Sequence, residues 1–258
     1  GLDINKLGYP KKQWKNVFDM YLCHSVIDYN LIVGKFTGAK CLRIGYPKYD
    51  RAPLMKDARN IIFNDVKNMD KSKPLILWMP TLIKIKGEII DNIKIWIPII
   101  LKLLNEYNVL IRLHPKTVVL DPEISNHLSD LGLLVDIKQG RNLKVLYQAA
   151  DLVLSDYGGS VLSAVYMKKK LLLLNSPSKK YIKWREERGY VDDDVRRDVS
   201  TFNVSNGMDL IRQVNNDIKC NDILKRDKLK EKYFGKDCDP SDTKLFFDQL
   251  IKNHCPVE

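Results

Sequence analysis

The 258 residues suit one large or two small domains and leave ample length for a hydrophobic core. Hydrophobic residues at 45% and charged residues at 29% are ordinary for a globular chain and exclude a disordered or fibrous one. A net charge of +11 points to an anionic partner: nucleic acid, a diphosphate or an acidic membrane surface.

Gly1–Trp14 is polar and irregular, and Val17–Ser25 reads as strand then turn. Asp28–Thr37 is expected to be a helix, Cys41–Ile44 a short strand ending at Gly45-Tyr46-Pro47, and Arg51–Met69 a helix. Lys71–Pro74 reads as a linker. Beyond it strands and helices alternate. The strands are Leu75–Met79, Val109–Leu113, Leu133–Asp136, Asp151–Ser155 and Leu171–Leu174. The helices are Ile89–Glu106 (interrupted or bent near Pro98), Pro122–Leu131 and Asn142–Ala149, with a further one after Asp156-Tyr157-Gly158-Gly159. Such alternation implies a parallel sheet covered on both faces. Lys179–Arg188 is expected to be helical, Val191–Asp198 an acid-rich loop and Gly207–Asn216 a helix, followed by a basic tail.

The five cysteines are scattered without a CxxC pair, which disfavours both a disulfide framework and a zinc site and suits a cytoplasmic protein. The most apolar window, Ile93–Leu104, contains two lysines and a proline and is too short to span a bilayer. No aromatic-interleaved basic motif suggests nucleic acid. Asp192-Asp193-Asp194 lacks spaced partners and reads as a solvated loop rather than a metal site. Lys168–Lys170 and Lys225–Lys232 read as solvated faces, with a peripheral contact to anionic lipid as the alternative.

Asp151–Asn175 forms one strand–turn–helix–strand unit. Its turn leaves the carboxyl end of a strand, where open α/β sheets bind ligands, and Gly158-Gly159 lets a ligand approach the backbone. The N–H groups that start the helix, with Ser160 beside them, suit a diphosphate, although a Gly-Gly here also serves as a plain tight turn. Asp156 adds a carboxylate that turn chemistry does not require. A second strand tip carries Arg112, His114 and Lys116, three potential cations for a phosphate. The alternative is that Arg112 pairs with a carboxylate while His114 caps the turn. A third tip carries Thr81, either a hydroxyl donor to a ligand or an ordinary loop residue. The three tips are expected to converge.

Taken together, these pieces resemble the CDP-glycerol glycerophosphotransferase family of teichoic-acid-type polymerases and primases. Gly45-Tyr46-Pro47-Lys48-Tyr49-Asp50 resembles its Gly-x-Pro-Arg-x-Asp motif, and Leu77–Thr81 its strand ending in Ala-Pro-Thr. Ile111–Pro115 is similar to its Arg-x-His-Pro tip, Asp151–Leu174 to its Asp-Tyr-Ser-Ser unit, and Tyr233–Asp242 to its closing segment. The resemblance implies a GT-B-like α/β fold: an incomplete N-terminal α/β domain (1–72), a Rossmann-type parallel-sheet domain binding the nucleotide donor (73–235) and a helical tail (236–258). It implies transfer of a polyol phosphate from a CDP-linked donor to a polymer or lipid-linked acceptor with release of CMP, without metal or cofactor. His114 and Asp156 are the candidate catalytic residues. Thr81, Arg112, Lys116, Ser155, Gly158, Gly159 and Ser160 are the candidate nucleotide- and phosphate-binding residues. The protein is expected in the cytoplasm, with peripheral contact to the inner face of an anionic membrane left open as the alternative to solvated basic faces.

Three departures stand out. Gly158-Gly159 replaces a Ser-Ser, Ser163 stands where an acidic residue is common, and Lys6-Leu7-Gly8 resembles a run whose histidine, the family's general base, falls before Gly1. Weak or absent catalysis by the chain as given is therefore expected. A nucleotide-sugar glycosyltransferase or epimerase, or a degenerate donor-binding domain, remain the rival readings.

Overall fold

The computed structural model describes residues 20–33, 40–50, 57–85, 88–90, 92–187, 189–204, 209–236 and 248. The segments Gly1–Trp14 and Lys6-Leu7-Gly8, most of 236–258, and part of Tyr233–Asp242 lie outside them. The chain forms two compact units, Gly1–Leu54 with Asp227–Glu258, and Met55–Arg226.

In the first unit, β1 (Met20–Cys23) and β2 (Lys40–Arg43) pair in parallel, with α1 (Val26–Val33) between them in sequence. Tyr21, Cys23 and Ile32 form its small core. Burial, with help from Cys41 and Asp28, pushes the Cys23 thiol up to about 12, so it acts as packing rather than as a nucleophile. The motif at Gly45 leads into a short helix, α2 (Pro47–Asp50), and Tyr46 meets Tyr49 edge-on at 4.7 Å.

The second unit is built on six parallel strands. β3 (Leu75–Met79), β6 (Asn108–Ile111), β8 (Leu152–Ser155) and β9 (Leu171–Leu174) are buried at every residue, which explains sequences that are apolar but for Asn108 and Ser155 at the strand ends. β7 (Leu134–Val135) and β10 (Ser200–Phe202) close the two edges. The order is β10-β9-β8-β3-β6-β7. Counted from β3 as the first strand, this is the 3-2-1-4-5-6 order of doubly wound nucleotide-binding sheets, and the order reverses between β3 and β8.

On one face, Ile76, Trp78, Leu152, Leu154, Leu172 and Leu174 pack against Trp96 and Ile100 of α4 (Asn92–Ile100) and Val214 of α11 (Leu210–Lys219). Helices α7 (Leu143–Ala149) and α8 (Gly159–Tyr166) contact the central strands as well. The expected long helix at 89–106 is divided. Ile83–Ile85 (β4) and Glu88–Ile90 (β5) make an antiparallel hairpin, α4 runs through Pro98, and Leu101–Asn105 tightens into a 3-10 turn. Burial of Ile93, Trp96 and Ile100 holds α4 despite the N–H missing at Pro98.

The compact sheet unit runs from Met55 to Arg226. α3 (Ala58–Asp65) packs on α7, so this unit takes in residues before the Lys71–Pro74 turn. Its other limit falls inside α12 (Ile223–Phe234). Asp151, just before β8, accepts from Leu75 N–H at 2.7 Å and from Arg59 at 2.8 Å, fastening α3 to the start of β3.

Helix α8 ends in a Schellman motif: Lys168 N–H donates to Val165 O at 3.0 Å and Lys169 N–H to Ala164 O at 2.9 Å. Lys168 holds the left-handed position, φ 53°, that glycine fills at least cost. Lys168→Gly is expected to raise stability by up to about 1 kcal/mol in urea unfolding. Replacing Leu154 by Ala in the central core is expected to lower it by about 3 kcal/mol.

Candidate functional site

The site lies where the strand order reverses, at the carboxyl ends of β3 and β8. Asp156, the residue after β8, is completely buried. Its carboxylate accepts Thr81 N–H at 2.8 and 3.1 Å, Tyr157 N–H at 2.7 Å and the side-chain amide of Asn92. The Thr81 hydroxyl donates to Tyr157 O. One carboxylate thus ties together the tip of β3, the start of α4 and the turn after β8. Burial pushes its pKa up to about 6, against the pull of these N–H donors.

The turn that follows is also held in place. Gly158 has φ 87° and ψ −152°, a conformation essentially reserved for glycine. Its N–H donates to Asp192 at 2.7 Å. Asp192 pairs with Arg185 at 2.7 Å, and Arg185 also bonds Asp193 at 2.8 Å. The Arg185 guanidinium lies 4.5 Å from the ring centroids of Tyr157 and Tyr190, with Arg196 at 3.8 Å from Tyr157. Burial works against the Arg185 cation, but Asp192, Tyr181 and Asp193 raise its pKa and keep it charged.

The acid-rich segment is therefore a helix, α10 (Val191–Asp198), and not the expected solvated loop; its first-turn carboxylates complement the helix dipole, and Asp192 is buried. Ser155 Oγ lies 2.8 Å from Ser160 Oγ and 3.4 Å from Met79 O. Ser163 Oγ donates back to Gly159 O at 2.8 Å. Gly159 is exposed, and nothing stands within 4 Å of where its Cβ would be, so the first turn of α8 opens to solvent. At a helix start the N–H groups of Gly159 and Ser160 have no intrahelical acceptor.

The β6 tip is arranged differently from the phosphate-binding expectation for Arg112. Its Nη1 donates to Asp136 O, to the Asp136 carboxylate and to Lys138 O, each at 3.0 Å. Arg141 joins Asp136 at 2.8 Å and reaches Asp65 at the same distance. Arg112 fastens β6 to the turn after β7 (Leu134–Val135). His114 caps α5 (Pro115–Leu120), its Nδ1 accepting from Lys116 N–H at 3.1 Å. Both side chains, His114 and Lys116, are exposed. With Nδ1 accepting, the neutral imidazole carries its proton on Nε2 as a donor.

The structure thus brings Thr81, Ser155, Asp156, Gly158, Gly159 and Ser160 together. It places His114 and Lys116 on the adjoining tip, with β3 between β6 and β8. The sequence reading misses Asn92, Arg185 and Asp192. Only Asp192 leaves a signal, as part of an acidic run ahead of two arginines.

The sequence profile of the family CDP-Glycerol:Poly(glycerophosphate) glycerophosphotransferase matches residues 7–241. The chain belongs to this family. No curated protein matches it significantly in sequence. Among solved structures, the fold is similar to that of the wall teichoic acid polymerase TagF soaked with CDPG, with TM-score 0.62 and 18% identity over 91% of this chain and 57% of that one. A second TagF variant gives 0.62 and 19% over 93% and 60%. The S. aureus MnaA–UDP co-structure gives 0.55 and 12% over 98% and 66%. At these identities the likeness shows the fold, a GT-B-like α/β architecture. The chain spans about three fifths of the TagF chains it matches.

The buried carboxyl of this family member has a thermodynamic signature. The folded pKa of Asp156, about 6, lies above its ordinary value of 3.8. The folded state therefore keeps the proton longer, and this group's stabilising share is present below about pH 4 and lost as pH rises through 6. Unfolding titrations of wild type and Asp156→Asn should show the difference between them moving against wild type by about 3 kcal/mol across that window. A difference that does not change with pH contradicts this placement of the carboxyl.

Proposed function

We propose that the chain binds a CDP-linked polyol phosphate, CDP-glycerol by the family's description, and takes part in moving the polyol phosphate to a polymer or lipid-linked acceptor with release of CMP. The observation that supports this reading best is the Gly158 turn, which delivers an open helix start to the point where the strand order reverses. In this reading the N–H groups of Gly159 and Ser160 hold the diphosphate. His114 Nε2–H and the Lys116 ammonium stabilise the charge that gathers on departing CMP when an acceptor hydroxyl attacks the polyol-bearing phosphorus.

Asp156, Thr81 and Arg112 take positioning roles. Asp156 and Thr81 lock the two central tips, and Arg112 holds the His114 tip through Asp136. The reading also puts the protein in the cytoplasm, against the inner face of the cell membrane through its basic surface. Among the described residues no helix is long and apolar enough to cross a membrane.

Calorimetric titration of CDP-glycerol, CMP and a UDP-sugar tests the donor assignment. The cytidine ligands are expected to bind and the UDP-sugar to bind more weakly; preference for the UDP-sugar would favour epimerase-like chemistry. His114→Asn keeps a side chain that can cap α5 and removes the imidazole. It should weaken CDP-glycerol binding roughly 10-fold or more, the size of a lost hydrogen bond to a charged group. Unchanged affinity would leave His114 as a cap alone.

A further inference from the structure

The far end of the same sheet, where β3, β8 and β9 begin, holds a cavity of about 430 Å³. Arg59, Lys168, Lys169, Lys170 and Arg226 line it, with Asp151 as the one carboxylate. The cavity also meets the carboxyl ends of α7, α8 and α11, which bring negative helix-dipole charge. At about −0.5 per helix, three ends and Asp151 supply about −2.5 against five cations. A surplus of about 2.5 positive charges remains.

The partners of these groups show where that surplus sits. Arg59 is committed to Asp151 at 2.8 Å and to Lys73 O at 3.0 Å. Lys170 donates to Ile218 O. The side chains of Lys169 and Arg226 make no hydrogen bond or ion pair among the described residues. Lys169 is half-buried, and burial, opposed by Asp151 and reinforced by Arg226 and Lys170, brings its pKa down to about 8. Beside it Lys168 keeps a left-handed backbone that would suit glycine better. The Schellman turn that puts Lys168 in this conformation brings it to the cavity wall together with Lys169 and Lys170.

We propose that this cavity binds a phosphate group, as a mono- or diester, at a site separate from the Gly158 turn. Bound oxyanion supplies the counter-charge that Lys169 and Arg226 lack. The ester is either a soluble one or a lipid headgroup. Ile223 and Leu224, exposed within a turn of Arg226, are placed to enter the acyl boundary in the second case. The proposal does not depend on the donor assignment.

The rate at which acetic anhydride labels Lys169 in the whole chain, read by peptide mass spectrometry, tests it. Inorganic phosphate, glycerol 3-phosphate or phosphatidylglycerol vesicles should slow labelling at least tenfold and saturably, whereas phosphatidylcholine vesicles should not. Protection by the soluble probes assigns a soluble ester, and protection by anionic vesicles alone assigns a headgroup. Arg226→Gln and Lys168→Gly should each raise the half-protecting concentration several-fold while leaving CDP-glycerol titrations as in wild type. Labelling indifferent to all probes, or protection unchanged in Arg226→Gln, overturns the proposal.

Discussion

A carboxylate removed from water needs donors around it, and Asp156 is met by Thr81, Tyr157 and Asn92 from three separate segments. That convergence makes the site possible. Sheet pairing brings β3 and β8 side by side, but pairing stops at Met79 and Ser155. Beyond those residues the direction of each tip is set by polar bonds, and Asp156 supplies them for both. The hairpin after β3 is steadied from the same place, since Ile83 and Ile85 pack with Tyr157 and Tyr181. With the tips held, Gly158 takes its left-handed turn and α8 starts where its first N–H groups face outward.

A second layer supports the first. Arg185 gathers Asp192, Asp193 and the faces of Tyr157 and Tyr190, and Asp192 in turn holds Gly158 N–H. Breaking one partner of such a buried group leaves the other charge without compensation, a loss larger than the pair's own net worth. The arrangement therefore fixes geometry more than it adds stability. The same layer fixes the direction of the Gly158 backbone, and the Ser155 and Ser160 hydroxyls meet beside it.

Much of the sheet was legible in the residues. β3, β6, β8 and β9 are apolar on both faces, a pattern that only a covered parallel strand tolerates, and the strand–turn–helix at Asp151–Tyr166 followed from its glycines. What escaped depended on partners far away in sequence. Asp192–Asp194 read as a loop because the arginine that buries Asp192 stands on another helix, α9 (Lys179–Glu186). The division of 89–106 came from a hairpin with weak local signals. Arg112, expected to bind phosphate, pairs with Asp136, a partner 24 residues on and just past the neighbouring strand, which no local pattern announces. Asp156 stands out in the sequence as a carboxylate that turn chemistry does not require, and in the structure that carboxylate faces inward to Thr81, Tyr157 and Asn92. Asn92 had no sequence signal at all.

The two ends of the sheet now have distinct characters. One presents strand tips fastened by a buried carboxylate around an open helix start; the other presents cations gathered among helix carboxyl ends. The structure of the chain soaked with CDP-glycerol tests the account most directly. It should show diphosphate oxygens at about 3 Å from Gly159 and Ser160 N–H, with Asp156 still on Thr81, Tyr157 and Asn92. A diphosphate bound elsewhere, or an Asp156 carboxylate turned out to meet it, would contradict the account.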